Sequence, residues 1–318
     1  MTGHPPTARR RHVLDLDDFT PEEFEAVFSQ AEAMAEILSR PIKQVPTLRG
    51  LTVVNAFYEP STRTRISFEQ AAKALSANVI NFTAQASSVV KGESLVDTVR
   101  TLEALGCDIV VMRHSMSGAP YLVARHFHGP VLNAGDGQHA HPTQALLDLY
   151  TMRRHFGPIS GLKVAIIGDI LHSRVARSNL WGLSKLGARV VLCGPPTLLG
   201  PAAYWETLFP GVQVTHHLEE ALEGANVVMV LRLQRERQEA GLLPTLREYT
   251  RLFGLTMDRL ALAAPHALVM HPGPMNEGVE IAPEVARCAQ SVIEEQVTNG
   301  VAIRMALLYM LAGSRREV

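Results

Sequence analysis

The sequence predicts an α/β protein of two domains, each a mostly parallel sheet flanked by helices. Three observations carry this expectation. Short β-rich apolar runs alternate with helical patterns, the mark of βαβ units. The alternation occurs in two series, separated by the punctuation Phe156-Gly157-Pro158. A length of 318 residues is also more than one core holds comfortably.

The elements follow in order. Asp18-Phe19-Thr20-Pro21-Glu22-Glu23 reads as a helix start. Thr20 is placed to cap, Pro21 fits the first helical position, and Glu23 completes a capping box. That helix runs to about residue 38. Residues 50–57 form an apolar β-rich run, a buried strand, and a helix follows over about 62–75. A strand at 79–82, a helix at 93–105, a strand at 107–112 and a short strand at 130–133 complete the first series. A helix over about 141–155 has Ala145, Leu146, Leu149 and Met152 at helical spacing. The second series has strands at 163–167, 189–192, 226–231 and 268–270, with helices at 174–185 and 218–223. The last helix, about 294–311, is long and apolar with no strand after it, so it can pack back on either half.

Composition excludes several classes. With 47% hydrophobic and 19% charged residues, the chain has ordinary globular make-up. Thirty basic and 31 acidic side chains give a net charge of −1, so no global field favours nucleic acid and no acidic excess favours disorder. No apolar run reaches the ~18 residues of a membrane helix. Cys107, Cys193 and Cys288 are far apart, odd in number and outside any metal-ligand spacing. That argues against a disulfide framework or a zinc site and for a reducing cytoplasm. Residues 1–11 end in three arginines and have no apolar h-region, so they read as a frayed tail rather than a secretory signal.

In open α/β sheets, ligands bind outside the carboxyl ends of the strands, so the strand exits carry the functional information. The first exit is Phe57-Tyr58-Glu59-Pro60, followed by Ser61-Thr62-Arg63-Thr64-Arg65 at a helix start. Free backbone N–H groups and the helix dipole favour an anion there, and the hydroxyls and the Arg63 guanidinium add donors suited to phosphate. The same residues also make sense as a capped helix with two solvated arginines. Taken singly, Arg113 after a strand is an exposed strand end, His141 before Pro142 a turn residue, and Lys91 before Gly92 a solvated loop. Gly168-Asp169-Ile170-Leu171-His172-Ser173-Arg174 lacks the G-x-G-x-x-G of a dinucleotide fold, and Asp169 would crowd a pyrophosphate.

Together these motifs resemble the aspartate/ornithine carbamoyltransferase family. Ser61-Thr62-Arg63-Thr64-Arg65 is similar to its carbamoyl-phosphate motif S-x-R-T-R, and His141-Pro142-Thr143-Gln144 to its H-P-x-Q. Arg113 matches its second phosphate-binding arginine. The segment from Ser87 through Lys91 to Ser94 resembles its loop that reaches into a neighbouring subunit's site. Gly168-Asp169 with Arg174 matches G-D-x-x-x-x-R, and Arg232-Leu233-Gln234-Arg235-Glu236-Arg237 matches R-x-Q-x-E-R. His271-Pro272-Gly273-Pro274 resembles the H-P-x-P of the aspartate branch; the ornithine branch has H-C-L-P there and a Ser-Met-Gly motif that this chain lacks.

The resemblance implies residues 1–147 plus about 294–318 as a carbamoyl-phosphate-binding domain and 148–293 as an aspartate-binding domain. It implies transfer of the carbamoyl group to the α-amine of aspartate, a step of pyrimidine biosynthesis, with no cofactor and no metal. The rival readings are an ornithine-type acceptor and an inactive scaffold paralogue. Ser61, Thr62, Arg63, Thr64 and Arg113 would hold the phosphate, with Ser87 and Lys91 arriving from the adjacent subunit. Arg63, Thr64, Arg113 and His141 form the catalytic set, His141 as a hydrogen-bond donor rather than a base. Gln144, Pro272 and Gly273 would hold the carbamoyl group. Arg174, Arg232, Gln234, Gly273, Pro274 and Lys91 would hold aspartate. The shared loop implies a homotrimer. Regulatory chains and dihydroorotase are the protein partners the resemblance brings into view; nucleic acid and membrane are not expected.

Overall fold

A computed structural model describes residues 10–83, 94–233, 242 and 245–313. It divides into two compact units. The first comprises Met1–Leu16, Glu22–Thr143 and Gly300–Val318, the second Asp17–Pro21 and Gln144–Asn299.

In the first unit, helix α1 (Pro21–Ser39) precedes strand β1 (Thr52–Phe57), followed by α2 (Thr62–Ala74), β2 (Asn78–Thr83), α3 (Leu95–Ala104), β3 (Ile109–His114), α4 (Ala119–His126) and β4 (Val131–Asp136). The strands are parallel in the order β2-β1-β3-β4. Their near-continuous apolar runs are what a sheet covered on both faces requires. Val54, Ala56, Val110, Met112 and Val131 join Val99, Leu102 and Val123 in one core cluster.

Helix α5 (Pro142–Phe156) leads into the second unit. There β5 (Lys163–Ile167), α6 (Arg174–Lys185), β6 (Arg189–Cys193), α7 (Pro196–Leu199), α8 (Ala202–Leu208), β7 (Gln213–Thr215), α9 (Leu218–Leu222) and β8 (Val227–Val230) follow. Then come α10 (Leu246–Phe253), α11 (Met257–Leu260), β9 (Leu268–Met270), α12 (Pro283–Ala286) and α13 (Ile293–Gly313), which belongs to the first unit from Gly300 on. The sheet order is β7-β6-β5-β8-β9, again parallel. Ala165, Ile167, Val228, Val230 and Val269 pack with Leu218, Tyr249 and Phe253.

The expected α/β class and the two parallel sheets are present. Several boundaries differ. The third strand runs on through Arg113 and His114, and the fourth extends to Asp136. Polar residues read as exits are still in the ladder, because Phe57 on β1 pairs with Arg113. Strand β7 and helices α4, α7, α8, α10, α11 and α12 were not anticipated; most are too short to show a period. Arg10 and Arg11 do not belong to a frayed tail. Arg10 forks onto Glu23 at 2.9 and 2.8 Å, and Arg11 donates to the His128 carbonyl at 2.7 Å.

The three cysteines are free. Burial, with Glu219 and Glu220 adding to it, pushes the Cys193 thiol up to about 12, so it is inert as a nucleophile. No helix among the described residues is long and apolar enough to cross a membrane. No group of histidine, cysteine and acidic side chains among them is arranged to hold a metal ion.

One glycine controls a strand exit. Gly168 ends β5 at φ +128°, and a Cβ there would stand 2.9 Å from the Leu231 carbonyl oxygen. Gly168→Ala should therefore cost about 1–3 kcal/mol. A denaturant midpoint unchanged from the parent would contradict that strain.

Candidate functional site

Both sheets reverse their strand order once. In the first, β1 is flanked by β2 and β3, so the chain turns back between β1 and β3. In the second, the reversal lies between β5 and β8. Such switch points open a crevice at the carboxyl ends of the strands, because the connections leave in opposite directions. Among the predicted residues, Ser61 to Thr64 and Arg113 lie at the exits of β1 and β3, and Arg174 and Arg232 follow β5 and β8.

At the first switch point, α2 opens directly after β1. Ser61 is its N-cap residue, in extended backbone, and makes no side-chain capping bond. Ser94, Ser173 and Thr245 do the opposite: each hydroxyl accepts the N–H of its own helix. No acidic residue lies in the first turn of α2. The helix start thus keeps its donors and its positive dipole end for an anion. Thr64 is buried. Burial also pulls the Arg63 guanidinium below the ordinary arginine value, although part of the side chain is exposed. It remains a cation at any physiological pH.

Arg113 reaches the same switch point from β3. It is 9% exposed, donates through Nη1 to the Ala134 carbonyl at 3.2 Å and through Nη2 to Glu59 Oε1 at 2.6 Å. Glu59 was not foreseen as a site residue. It neutralises a nearly buried guanidinium and fixes its plane. Its signal was invisible in sequence, since only the parallel pairing of β1 with β3 brings the two exits together. The ring of Tyr58 lies against Phe82 and His114, with centroids 5.6 and 5.0 Å apart.

The turn leading to His141 hangs on Asp136, which is fully buried. Its carboxylate accepts from the Gly118 N–H at 2.7 Å, the Asn133 amide at 2.8 Å and the Ala140 N–H at 3.1 Å. One acidic side chain thereby ties the loop after β3 to the segment entering α5. Gly137 has φ +48°, and a Cβ there would collide with Ser117. His141 itself is 5% exposed. Behind α2, the Arg304 guanidinium from α13 donates to Ser67 Oγ at 2.7 Å and stacks over Phe68 at 5.1 Å.

At the second switch point, Ser173 caps α6 and puts Arg174 at its first position, only 3% exposed. Asp169 is buried and takes the His172 ring nitrogen Nδ1 at 2.7 Å. Arg232 lies two residues beyond β8 and is half-buried. The segment from His271 is built by its own histidine. Nδ1 accepts the Gly273 N–H at 2.8 Å, so Nε2 carries the proton and donates to buried Glu280 at 3.3 Å. Glu280 also accepts the Asn276 N–H at 2.6 Å. The Gly273–Pro274 bond is cis. Gln144 is buried on α5 and donates to Asp148 at 2.9 Å. Ser87, Lys91 and Gln234 lie outside the described residues.

Two parallel-sheet units, with an anion-suited helix start in one and Arg174 and Arg232 after strands of the other, fit the carbamoyltransferase class. The sequence matches the model of the aspartate/ornithine carbamoyltransferase carbamoyl-phosphate-binding domain over residues 11–154. It matches the Asp/Orn-binding domain of the same family over 160–311. The chain belongs to the aspartate/ornithine carbamoyltransferase family. It is 70% identical to the aspartate carbamoyltransferase catalytic subunit of Chloroflexus aggregans over 307 residues, 96% of this chain and all of that one. It is 69% identical to that of Roseiflexus castenholzii, covering 96% of both chains. Among solved structures, Trypanosoma cruzi aspartate transcarbamoylase bound to N-(phosphonacetyl)-L-aspartic acid superposes with a TM-score of 0.87 at 31% identity, covering 96% of this chain and 98% of that one. Pyrococcus furiosus ornithine carbamoyltransferase gives 0.84 at 29%, covering 95% and 97%.

Two histidines of the first unit give it a pH dependence. Burial lowers His114, with Asp136 and Glu59 pulling weakly the other way, and burial with Arg11 lowers His12. Each ring accepts a backbone N–H through Nδ1, from Met116 and Val131 respectively. The folded protein therefore prefers both neutral. As pH falls below the ordinary histidine value of about 6.5, the unfolded chain binds protons first and stability drops. The thermal midpoint should decline between pH 7.5 and 5.5, and His12→Asn/His114→Asn should flatten that part of the curve. An equally steep decline in the double variant would contradict the assignment.

Proposed function

We propose that this chain transfers the carbamoyl group of carbamoyl phosphate to the α-amine of L-aspartate, giving N-carbamoyl-L-aspartate and phosphate. The carrying observation is the first switch point: a helix start whose cap hydroxyl is uncommitted to its own helix, beside an arginine held by Glu59. Aspartate as acceptor is supported by the full-length identity to aspartate enzymes and by Pro272 where the ornithine branch has cysteine.

In this reading Ser61, Thr62, Arg63, Thr64 and Arg113 hold the phosphate. The amine attacks the carbonyl carbon, a C–N bond forms, the C–O bond to phosphate breaks, and the amine loses a proton. Charge grows on the carbonyl oxygen and on the departing phosphate. Thr64, Arg113 and His141 offer donors to the first, and the helix dipole with Arg63 stabilises the second. Such donors act by being already in place, so they need no reorganisation during the reaction. Gln144, Pro272 and Gly273 hold the carbamoyl group; Arg174, Arg232, Gln234, Gly273 and Pro274 hold aspartate. A pair of arginines suits a dicarboxylate and would repel the side-chain ammonium of ornithine.

Ser87 and Lys91 enter from a neighbouring copy, so the working form is a homotrimer, in the cytoplasm. The aspartate transcarbamoylase structures from Trypanosoma cruzi with carbamoyl phosphate and aspartate support the substrate pair.

An acceptor screen tests the reading. With carbamoyl phosphate, aspartate should turn over and ornithine should not, and Arg63→Ala should lower kcat/KM by about 10²–10³, the scale of one lost oxyanion donor. Equal use of ornithine, or an undiminished rate in Arg63→Ala, would refute it. Shared sites make a second prediction. Arg63→Ala and Lys91→Ala chains, each inactive alone, should regain part of the activity when assembled together. Verified mixed trimers with no recovery would count against subunit sharing.

A further inference from the structure

A buried carboxylate that none of the motifs includes lies in the second unit. Asp148 on α5 is fully buried. Three side-chain amides converge on it, each from a different stretch of chain. Gln144 Nε2, one turn earlier on α5, donates to Oδ1 at 2.9 Å. Gln296 Nε2 on α13 donates to the same oxygen at 2.7 Å. Asn179 Nδ2 on α6 donates to Oδ2 at 2.9 Å. All of these residues belong to one compact unit.

The chemistry of this arrangement is directional. An ionised carboxylate only accepts, whereas an amide has a donor end and an acceptor end. Each amide facing Asp148 must therefore present NH2, and its oxygen must point elsewhere. For Gln296 the consequence is visible: its Oε1 accepts the His271 N–H at 3.0 Å and so anchors the start of the segment His271-Pro272-Gly273. For Asn179 the anchored element is α6, whose first residue is Arg174. For Gln144 the consequence concerns the substrate. With Nε2 committed, the free end is Oε1, an acceptor, and among the described residues none donates to it. A carbamoyl group differs from an acyl group by an NH2, which needs acceptors.

We propose that Asp148 is a positioning residue for carbamoyl transfer: by fixing the amide polarity of Gln144 and Gln296, it turns an acceptor toward the carbamoyl NH2 and so lets the enzyme distinguish carbamoyl phosphate from an acyl phosphate. The inference rests on the reading that places Gln144 at the carbamoyl group. Asp148 touches no reacting atom. If it were absent, the Gln144 amide could turn over with little cost, and a donor would then face the substrate's own N–H. Gln296 would keep its oxygen on the His271 N–H but lose the partner of its Nε2.

The test compares carbamoyl phosphate with acetyl phosphate, in which a methyl group replaces NH2. The measured quantity is the acetyl phosphate inhibition constant divided by the carbamoyl phosphate KM, in the assembled enzyme with aspartate saturating. Asp148→Ala should reduce this ratio about 5–10-fold, the scale of one neutral hydrogen bond. Gln144→Ala should reduce it equally. Asp148→Asn/Asn179→Asp moves the carboxylate to α6 but keeps an oxygen facing Gln144 and Gln296, so it should restore the ratio to within about twofold of the parent. A merely structural role would weaken both ligands together and leave the ratio unmoved, and that result overturns the proposal. Loss of discrimination in the double swap overturns it too. If Asp148→Ala does not fold, Asp148→Leu fills the space without an acceptor and carries the same expectation. If Gln144→Ala keeps full discrimination, the placement of Gln144 at the carbamoyl group is wrong; if only the Asp148 variants keep it, that placement stands and the role given to Asp148 falls.

Discussion

The reversal of strand order in each parallel sheet is the constraint on which the rest depends. A right-handed crossover sends each connecting helix over one face, so a sheet built outward in both directions must leave one gap where two helices depart to opposite sides. In this chain the gaps lie between β1 and β3 and between β5 and β8. Helix starts and strand ends meet there, and both expose unpaired backbone donors. The two sheets share this geometry and use it differently. The first surrounds the gap with hydroxyls and guanidinium groups on α2 and β3. The second sets Arg174 and Arg232 after β5 and β8, whose exits approach closely at Gly168.

Charge buried at such gaps must be answered within the fold, and here it is answered locally. Arg113 meets Glu59, and His271 meets Glu280. Asp136 accepts backbone and amide N–H groups with the His139 ring beside it at 3.1 Å, and Asp148 accepts three side-chain amides. A buried carboxylate held by amides fixes loops without spending positive charge. Asp136 orders the segments around Arg113 and His141. Asp148 does the same for Gln144, α6 and the segment at His271.

Much of the fold was legible in sequence because strand exits are marked. Pro60 after an apolar run, Gly168-Asp169 after another and His271-Pro272 after a third are local signals. Helix α6 and strands β5 and β9 have the bounds the periodicity predicts. What escaped was whatever depends on distant pairing. Glu59 becomes a partner of Arg113 only through the β1–β3 register. Asp148 looks like an ordinary helix residue until α13 returns Gln296 to it, 148 positions later. Strand β7 has three residues, too few to alternate visibly. The third strand was ended early because Arg113 and His114 are polar, yet both remain in the ladder.

Acceptor choice follows from the same division between fold and exits. An aspartate enzyme and an ornithine enzyme superpose on this chain almost equally, with TM-scores of 0.87 and 0.84. The backbone therefore cannot be what separates a dicarboxylate from an ammonium-bearing substrate. The difference must lie in a few side chains presented by a common scaffold. Discrimination by charge needs guanidinium groups that cannot swing away from an unfavourable acceptor. Arg174 meets that requirement: it is 3% exposed at the first position of a capped helix, and that helix is pinned through Asn179 to Asp148. In the proposed reading, the carbamoyl-binding Gln144 and the aspartate-binding Arg174 share one buried anchor.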